Sequence, residues 1–227
     1  MCTISIFTEG QNCHVFMNRD EVPSRGESQP GWHDDGLLYP VDEEQGGTWI
    51  AANKFNYWGC LLNAYPNTTS PDTKLAEKKY ISRGEILREI LKEENPESHL
   101  KTIEFTKYRP FRIILGKNSK FKSYLWDGSK FAEVAINQIS ENLYFATSSS
   151  FNAQEVKEYR LLQIEHWLNN GQIFEKGFPS FHLDSKDPFP AHRIFVKRKN
   201  AVSKSTTGII ISESPNLPEM TYLALKE

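Results

Sequence analysis

The chain has 227 residues, 38% hydrophobic and 25% charged, which suits one domain over residues 1–227 with an ample core, and no composition break or linker divides it. A formal charge of −2 gives no electrostatic reason to expect nucleic acid or an anionic membrane as partner. There is no signal-peptide h-region and no apolar run long enough to span a bilayer, and Cys2, Cys13 and Cys60 lack metal or redox spacing, so a reducing cytoplasm is the expected location.

In chain order, Thr3-Ile4-Ser5-Ile6-Phe7 and Cys13-His14-Val15-Phe16-Met17 read as strands about the turn Glu9-Gly10-Gln11-Asn12. With Gly10-Gln11 as a two-residue loop, cross-strand partners have numbers summing to 21, so Cys2 faces Arg19 with β-carbons about 5 Å apart. Ile4, Ile6, Val15 and Met17 fall on that face, and Cys13 is expected on the face away from Cys2. Residues 22–45 are polar and punctuated by Pro and Gly, too long for a simple connector, and read as a lid over a site. Residues 48–52 and 57–62 form a second hairpin around Lys54-Phe55-Asn56. Leu75, Ile81, Ile86, Leu87, Ile90 and Leu91 have helical spacing. Strands are expected at 111–115, 121–126, 131–136 and 143–147, an amphipathic helix at 153–168, and closing strands at 209–212 and 221–225. Phe174, Phe178, Phe181 and Phe189 crowd a loop with Pro179, Pro188 and Pro190 that reads as one wall of an apolar ligand cleft.

Cys2 carries the most chemistry. If Met1 is trimmed, as a small second residue permits, one residue bears a thiol of pKa about 8.5 and a free α-amine of pKa about 8, a nucleophile beside its own general base. A guanidinium at Arg19 favours the thiolate or a bound carboxylate. The competing reading makes Cys2 a small hydrophobe at a strand start and residues 19–21 a solvated strand end. The histidines are scattered without zinc spacing, and no Cys-x-x-Cys-His haem attachment is present.

Met-Cys at the start, Asn18-Arg19-Asp20-Glu21, Gly46-Gly47-Thr48-Trp49 and Gly59…Leu62-Asn63 resemble the NRDE family, also called the transport and Golgi organisation protein 2 family. Ile194-Phe195-Val196 and Ser203-Lys204-Ser205-Thr206 continue the resemblance near the C-terminus. That family is similar to N-terminal nucleophile hydrolases of the choloylglycine hydrolase and penicillin acylase type. The resemblance implies an α+β fold, a four-layer αββα sandwich with two antiparallel sheets between helical layers. It also implies Cys2 as nucleophile, Asp20 as holder of its amine, and Asn63 as oxyanion donor. For Asn63, composition alone favours an Asx-turn before Pro66. Ser148 stands where those hydrolases carry a second asparagine donor, Arg193 where they carry a late arginine, and Lys204 where the NRDE family usually has arginine; all three are expected to bind substrate. Arg19 and Asp20 are adjacent here, whereas the hydrolases separate them by three residues, so the pair cannot project alike from a regular strand.

The expected function is hydrolysis of an amide or thioester of a small acylated substrate, with Cys2, Arg19, Asp20 and Asn63 as catalytic residues and no cofactor or metal required. The alternative implied by the resemblance is a non-catalytic carrier of haem or acyl-CoA on the same fold.

Overall fold

The computed structural model describes residues 2–65, 80–213 and 216–225. Its first hairpin pairs β1 (Cys2–Glu9) with β2 (Asn12–Glu21). Gly10 takes φ 59°, a left-handed conformation that glycine adopts without steric cost, and the partners run from Glu9 opposite Asn12 to Cys2 opposite Arg19. That is the register the turn predicts.

The chain continues through β3 (Gly31–Trp32), β4 (Leu37–Tyr39), β5 (Ile50–Asn53) and β6 (Tyr57–Asn63) to two helices, α1 (Gly84–Leu91) and α2 (Pro96–Leu100). Then come β7 (Phe111–Lys117), β8 (Lys120–Trp126), β9 (Phe131–Glu133), β10 (Asn137–Ser140) and β11 (Leu143–Thr147). The long helix α3 (Ala153–Asn169) precedes β12 (Phe174–Glu175), β13 (Phe178–Pro179), β14 (Lys197–Arg198), β15 (Ala201–Ile211) and β16 (Glu219–Ala224). Among the described residues these strands build two seven-stranded antiparallel sheets and one small β12-β13 pair. The first sheet runs β10-β11-β1-β2-β15, with β14 and β16 sharing the far edge of β15. The second is a meander from β3 to β9 in chain order.

Three apolar clusters separate four layers. Ile4, Ile6, Val15 and Met17 of the first sheet meet Ile50, Trp58, Cys60 and Ile114 of the second. Ile86, Leu87, Ile90 and Leu91 of α1 cover the outer face of the second sheet at Ala51, Leu61 and Ile113. On the other side, Ile164 and Trp167 of α3 cover Leu143 and Phe145 of the first. Burying each large aliphatic side chain contributes about 1.5–3 kcal/mol, so packing of the two sheets anchors the strand that begins at Cys2. The result is the α+β, four-layer αββα sandwich.

Several expectations are corrected. Residues 22–45 are more than a lid: β3 and β4 extend the second sheet, and Leu37, Leu38 and Tyr39 are buried. Helix α1 begins only at Gly84, Ile81 bridges to Tyr108 instead, and Leu75 lies outside the described residues. The expected strand 131–136 ends at Glu133, because the chain there leaves the second sheet and enters the first at Asn137. Strand β15 starts well before residue 209, at Ala201, and Ser203, Ser205, Thr206 and Thr207 of its first half are buried beside β2. Cys13 shares the inner face with Cys2, since β2 alternates and Arg19, Met17, Val15 and Cys13 have one parity. Phe178 and Phe181 are buried against Phe16 and Trp167 on the far side of the first sheet, where Phe181 also borders a cavity of about 580 Å³ away from Cys2, while Phe174 and Phe189 are exposed.

Candidate functional site

Cys2 opens β1 at the end of the inter-sheet core, only 7% exposed, and borders a cavity of about 440 Å³ shared with Arg19, Asp20, Trp49, Asn63 and Arg83. Ser148, the residue after β11, holds its backbone twice: the Cys2 N–H donates to Ser148 Oγ at 3.2 Å, and the Ser148 N–H donates to the Cys2 carbonyl at 3.0 Å. Burial pushes the Cys2 thiol pKa up, and this outweighs the Asp20 backbone N–H on the sulfur and the charge of Arg19, which both favour thiolate. A thiol in that state is protonated at neutral pH and needs a base.

Arg19, opposite Cys2, is a clamp. Its Nη1 lies 2.5 Å from Glu27 Oε2, its Nη2 lies 2.6 Å from Asp42 Oδ2, and its guanidinium sits 4.6 Å from the centre of the Trp49 ring. Burial pulls its pKa down, but Glu27 and Asp42 outweigh that and raise it. Both carboxylates come from the 22–45 segment, so the clamp ties that segment to β2. Trp49 is delivered by a close approach of backbones. A Cβ on Gly47 would stand 2.8 Å from the Gly84 Cα, and only glycine lets the start of α1 rest there, with Thr48 N–H donating to the Gly84 carbonyl.

Asp20, the next residue on the strand, points the other way, as alternation requires. Its Oδ1 accepts from Ser203 Oγ at 2.6 Å and its Oδ2 lies 3.8 Å from Arg160 Nη2. Burial raises the Asp20 carboxyl while Arg160 opposes the rise. Arg160 is fully buried, bonds Thr3 Oγ1, Thr147 Oγ1 and the His192 carbonyl, and keeps its charge at neutral pH although burial pulls its pKa down to about 10. Sequence reasoning missed it. The signal was present: Val156, Arg160, Ile164 and Trp167 form the buried stripe of α3, and an arginine interrupts it.

Under the same strands lies a buried chain, Ser5 Oγ to His182 Nε2 at 2.7 Å and His182 Nδ1 to Asn18 Oδ1 at 2.8 Å. Asn18 Nδ2 donates to the His182 carbonyl, so Asn18 Oδ1 accepts from Nδ1–H and Nε2 accepts from Ser5. All three residues are fully buried, and the chain locks the 180–194 loop to β1 and β2.

Of the remaining expected residues, Asn63 ends β6 and borders both the Cys2 cavity and a second one of about 620 Å³. Among the described residues its Nδ2 makes one long contact, 3.4 Å to Tyr65 OH, and the expected turn partner Pro66 lies outside them. Ser148 borders the second cavity. Arg193 and Lys204 border neither. The Arg193 guanidinium donates to the carbonyls of Phe195, Ser185 and Asp187, which folds the loop before β14, and Lys204 Nζ donates to the Pro23 carbonyl at 2.6 Å. Among the described residues no group of three His, Cys, Asp or Glu side chains is arranged to hold a metal, and no helix is long and apolar enough to cross a membrane.

The fold is similar to that of a Caenorhabditis elegans N-acylethanolamine-hydrolyzing acid amidase ortholog, with a TM-score of 0.56 at 14% identity over 92% of each chain. Two variants of conjugated bile acid hydrolase from Clostridium perfringens align over 99% of this chain and 92% of theirs at 10% identity, with TM-scores of 0.47 and 0.48. No curated protein matches the sequence significantly. The family model for Transport and Golgi organisation 2 matches residues 1–215. The chain therefore belongs to the Transport and Golgi organisation 2 family.

Proposed function

We propose that this chain, once Met1 is removed, is an N-terminal cysteine-nucleophile hydrolase that cleaves an amide or thioester of a small acylated substrate in a reducing compartment such as the cytoplasm. One observation carries the reading: Cys2 sits in a solvent-reaching cavity at the edge of the inter-sheet core, with its nitrogen directed at Ser148 Oγ and Asn63 across the cavity on the other sheet. The likeness of the fold to an acid amidase is consistent with it.

In this scheme the free α-amine takes the thiol proton as sulfur attacks the acyl carbon. Such a base is required because burial keeps the thiol protonated. Asn63 Nδ2 donates to the developing oxyanion. Collapse breaks the bond to the leaving nitrogen or sulfur, which takes the proton from the ammonium and leaves a Cys2 thioester. Water, deprotonated by the same amine, then releases the acid and restores the thiol. Asp20, with Ser203 and Arg160 behind it, directs the amine, and Ser148 sets the direction of the Cys2 nitrogen.

The test is intact-mass analysis of the trimmed protein during exposure to acyl amides and acyl thioesters. A covalent acyl adduct on Cys2 that is absent from Cys2→Ser supports the scheme. Retention of Met1 in the native protein, or no adduct alongside tight binding of haem or acyl-CoA, would replace it with the carrier function.

A further inference from the structure

We propose that Arg83 and Arg109 form an anion subsite in the Cys2 cavity that selects acylated substrates carrying a carboxylate or phosphate group; as a statement about substrate it rests on the hydrolase reading, but the charge site can be tested without it. The arginines of this cavity divide into two pairs. Arg19 and Arg25 are neutralised, Arg19 by Glu27 and Asp42 and Arg25 by Asp42 and Glu21 at 2.8 and 3.4 Å. Arg83 and Arg109 border the same cavity, and among the described residues neither has a carboxylate within ion-pairing distance.

Their placement is built. The Arg83 Nη1 donates at 2.9 Å to the Pro110 carbonyl, which also accepts from the Ala64 N–H at 3.1 Å, so one oxygen ties the guanidinium to the residue after Asn63. The Gly47–Gly84 approach brings this end of α1 to the cavity. Arg109 lies over the Tyr80 ring at 5.5 Å. Burial lowers the Arg83 pKa and the Arg109 charge lowers it further, against the fields of Tyr65, Cys2 and Glu21, so two like charges crowd one space within electrostatic reach of the sulfur. An anion between them relieves that repulsion, and Arg19, already neutralised, has no charge left to offer it.

The probe is a pair of alkylating agents that differ only in charge, iodoacetate and iodoacetamide, with Cys2 labelling followed by peptide mass. The rate ratio of iodoacetate to iodoacetamide at Cys2 should exceed that of a free thiol on an uncharged scaffold, 2-mercaptoethanol, by roughly tenfold, the low end of what a cationic cleft does to local anion concentration. Arg83→Gln with Arg109→Gln should return the ratio to the free-thiol value, and Arg83→Lys with Arg109→Lys should keep it. Arg109→Gln alone removes an exposed side chain and should lower the ratio even if the double variant fails to fold. Inorganic phosphate and acetate as competitors distinguish the two anion classes by which protects Cys2 at lower concentration. A wild-type ratio at or below that of 2-mercaptoethanol, or one unchanged in Arg109→Gln, would overturn the subsite. Alkylation needs no acyl transfer, so this outcome stands apart from failure of the hydrolase scheme, and acyl-Cys2 formation with no preference for anionic substrates would refute the subsite alone.

Discussion

His182 makes the strands of the site sensitive to acid. Burial holds its pKa down to about 3, so the folded protein keeps the ring neutral between Ser5 and Asn18, while in the unfolded chain it titrates near the ordinary value of 6.5. Between these values the unfolded state binds one more proton than the folded state. Stability is therefore fully present above about pH 6.5 and is lost as pH falls toward the folded pKa. At about 1.4 kcal/mol per pH unit, acidification from about pH 7.5 to about pH 5 should remove about 2 kcal/mol, a sizeable share of a typical 5–15 kcal/mol. Urea unfolding of wild type and His182→Gln at both pH values isolates the effect, since carboxylates such as Asp20 titrate in both proteins and cancel in the difference. Near neutrality the variant should be less stable by about 1–3 kcal/mol, because it disturbs the buried chain. On acidification that gap should shrink by about 2 kcal/mol. A gap that stays constant between the two pH values would show that His182 titrates alike in both states and would refute the argument.

Three further outcomes are expected. Asn63→Ala should slow turnover by roughly a hundredfold or more with little change in stability, as loss of one oxyanion donor does, and unchanged turnover would remove Asn63 from the scheme. Alkylation at neutral pH should label Cys2 faster than Cys13 or Cys60, because burial in the inter-sheet core pushes Cys13 up to about 12 and Cys60 well above its ordinary value while neither borders the Cys2 cavity; faster labelling of either by peptide mass would reassign the reactive thiol. Arg160→Met should cost about 3–5 kcal/mol in chemical unfolding, since it removes a buried charge that offsets the Asp20 carboxylate, and Asp20→Asn in the same background should recover part of the loss.

The first hairpin was legible in the residues alone because local rules decide it. Gly10-Gln11 sets the register, a strand has period two, and these place Cys2 against Arg19 with Ile4, Ile6, Val15 and Met17 on their face. The same parity put Cys13 on the Cys2 face, a consequence that the sequence reading overlooked. The αββα architecture came from resemblance, since no local rule stacks one sheet on another. What Arg19 does was decided only by tertiary structure: its partners Glu27 and Asp42 sit in a polar stretch whose path depends on β3 and β4 joining the second sheet. Arg160 meets Asp20 from more than half the chain length away, and Ser203 reaches it from still farther along, on a strand that β2 buries. The Gly47–Gly84 contact brings Arg83, at the start of α1, to the Cys2 cavity, and Arg109 joins it there from the segment before β7, with no carboxylate in ion-pairing distance of either among the described residues. Periodicity reports which face a residue occupies, because backbone geometry is local. Which charges are cancelled and which remain open depends on the groups that long-range folding brings within about 4 Å, where Coulomb energy is large enough to matter.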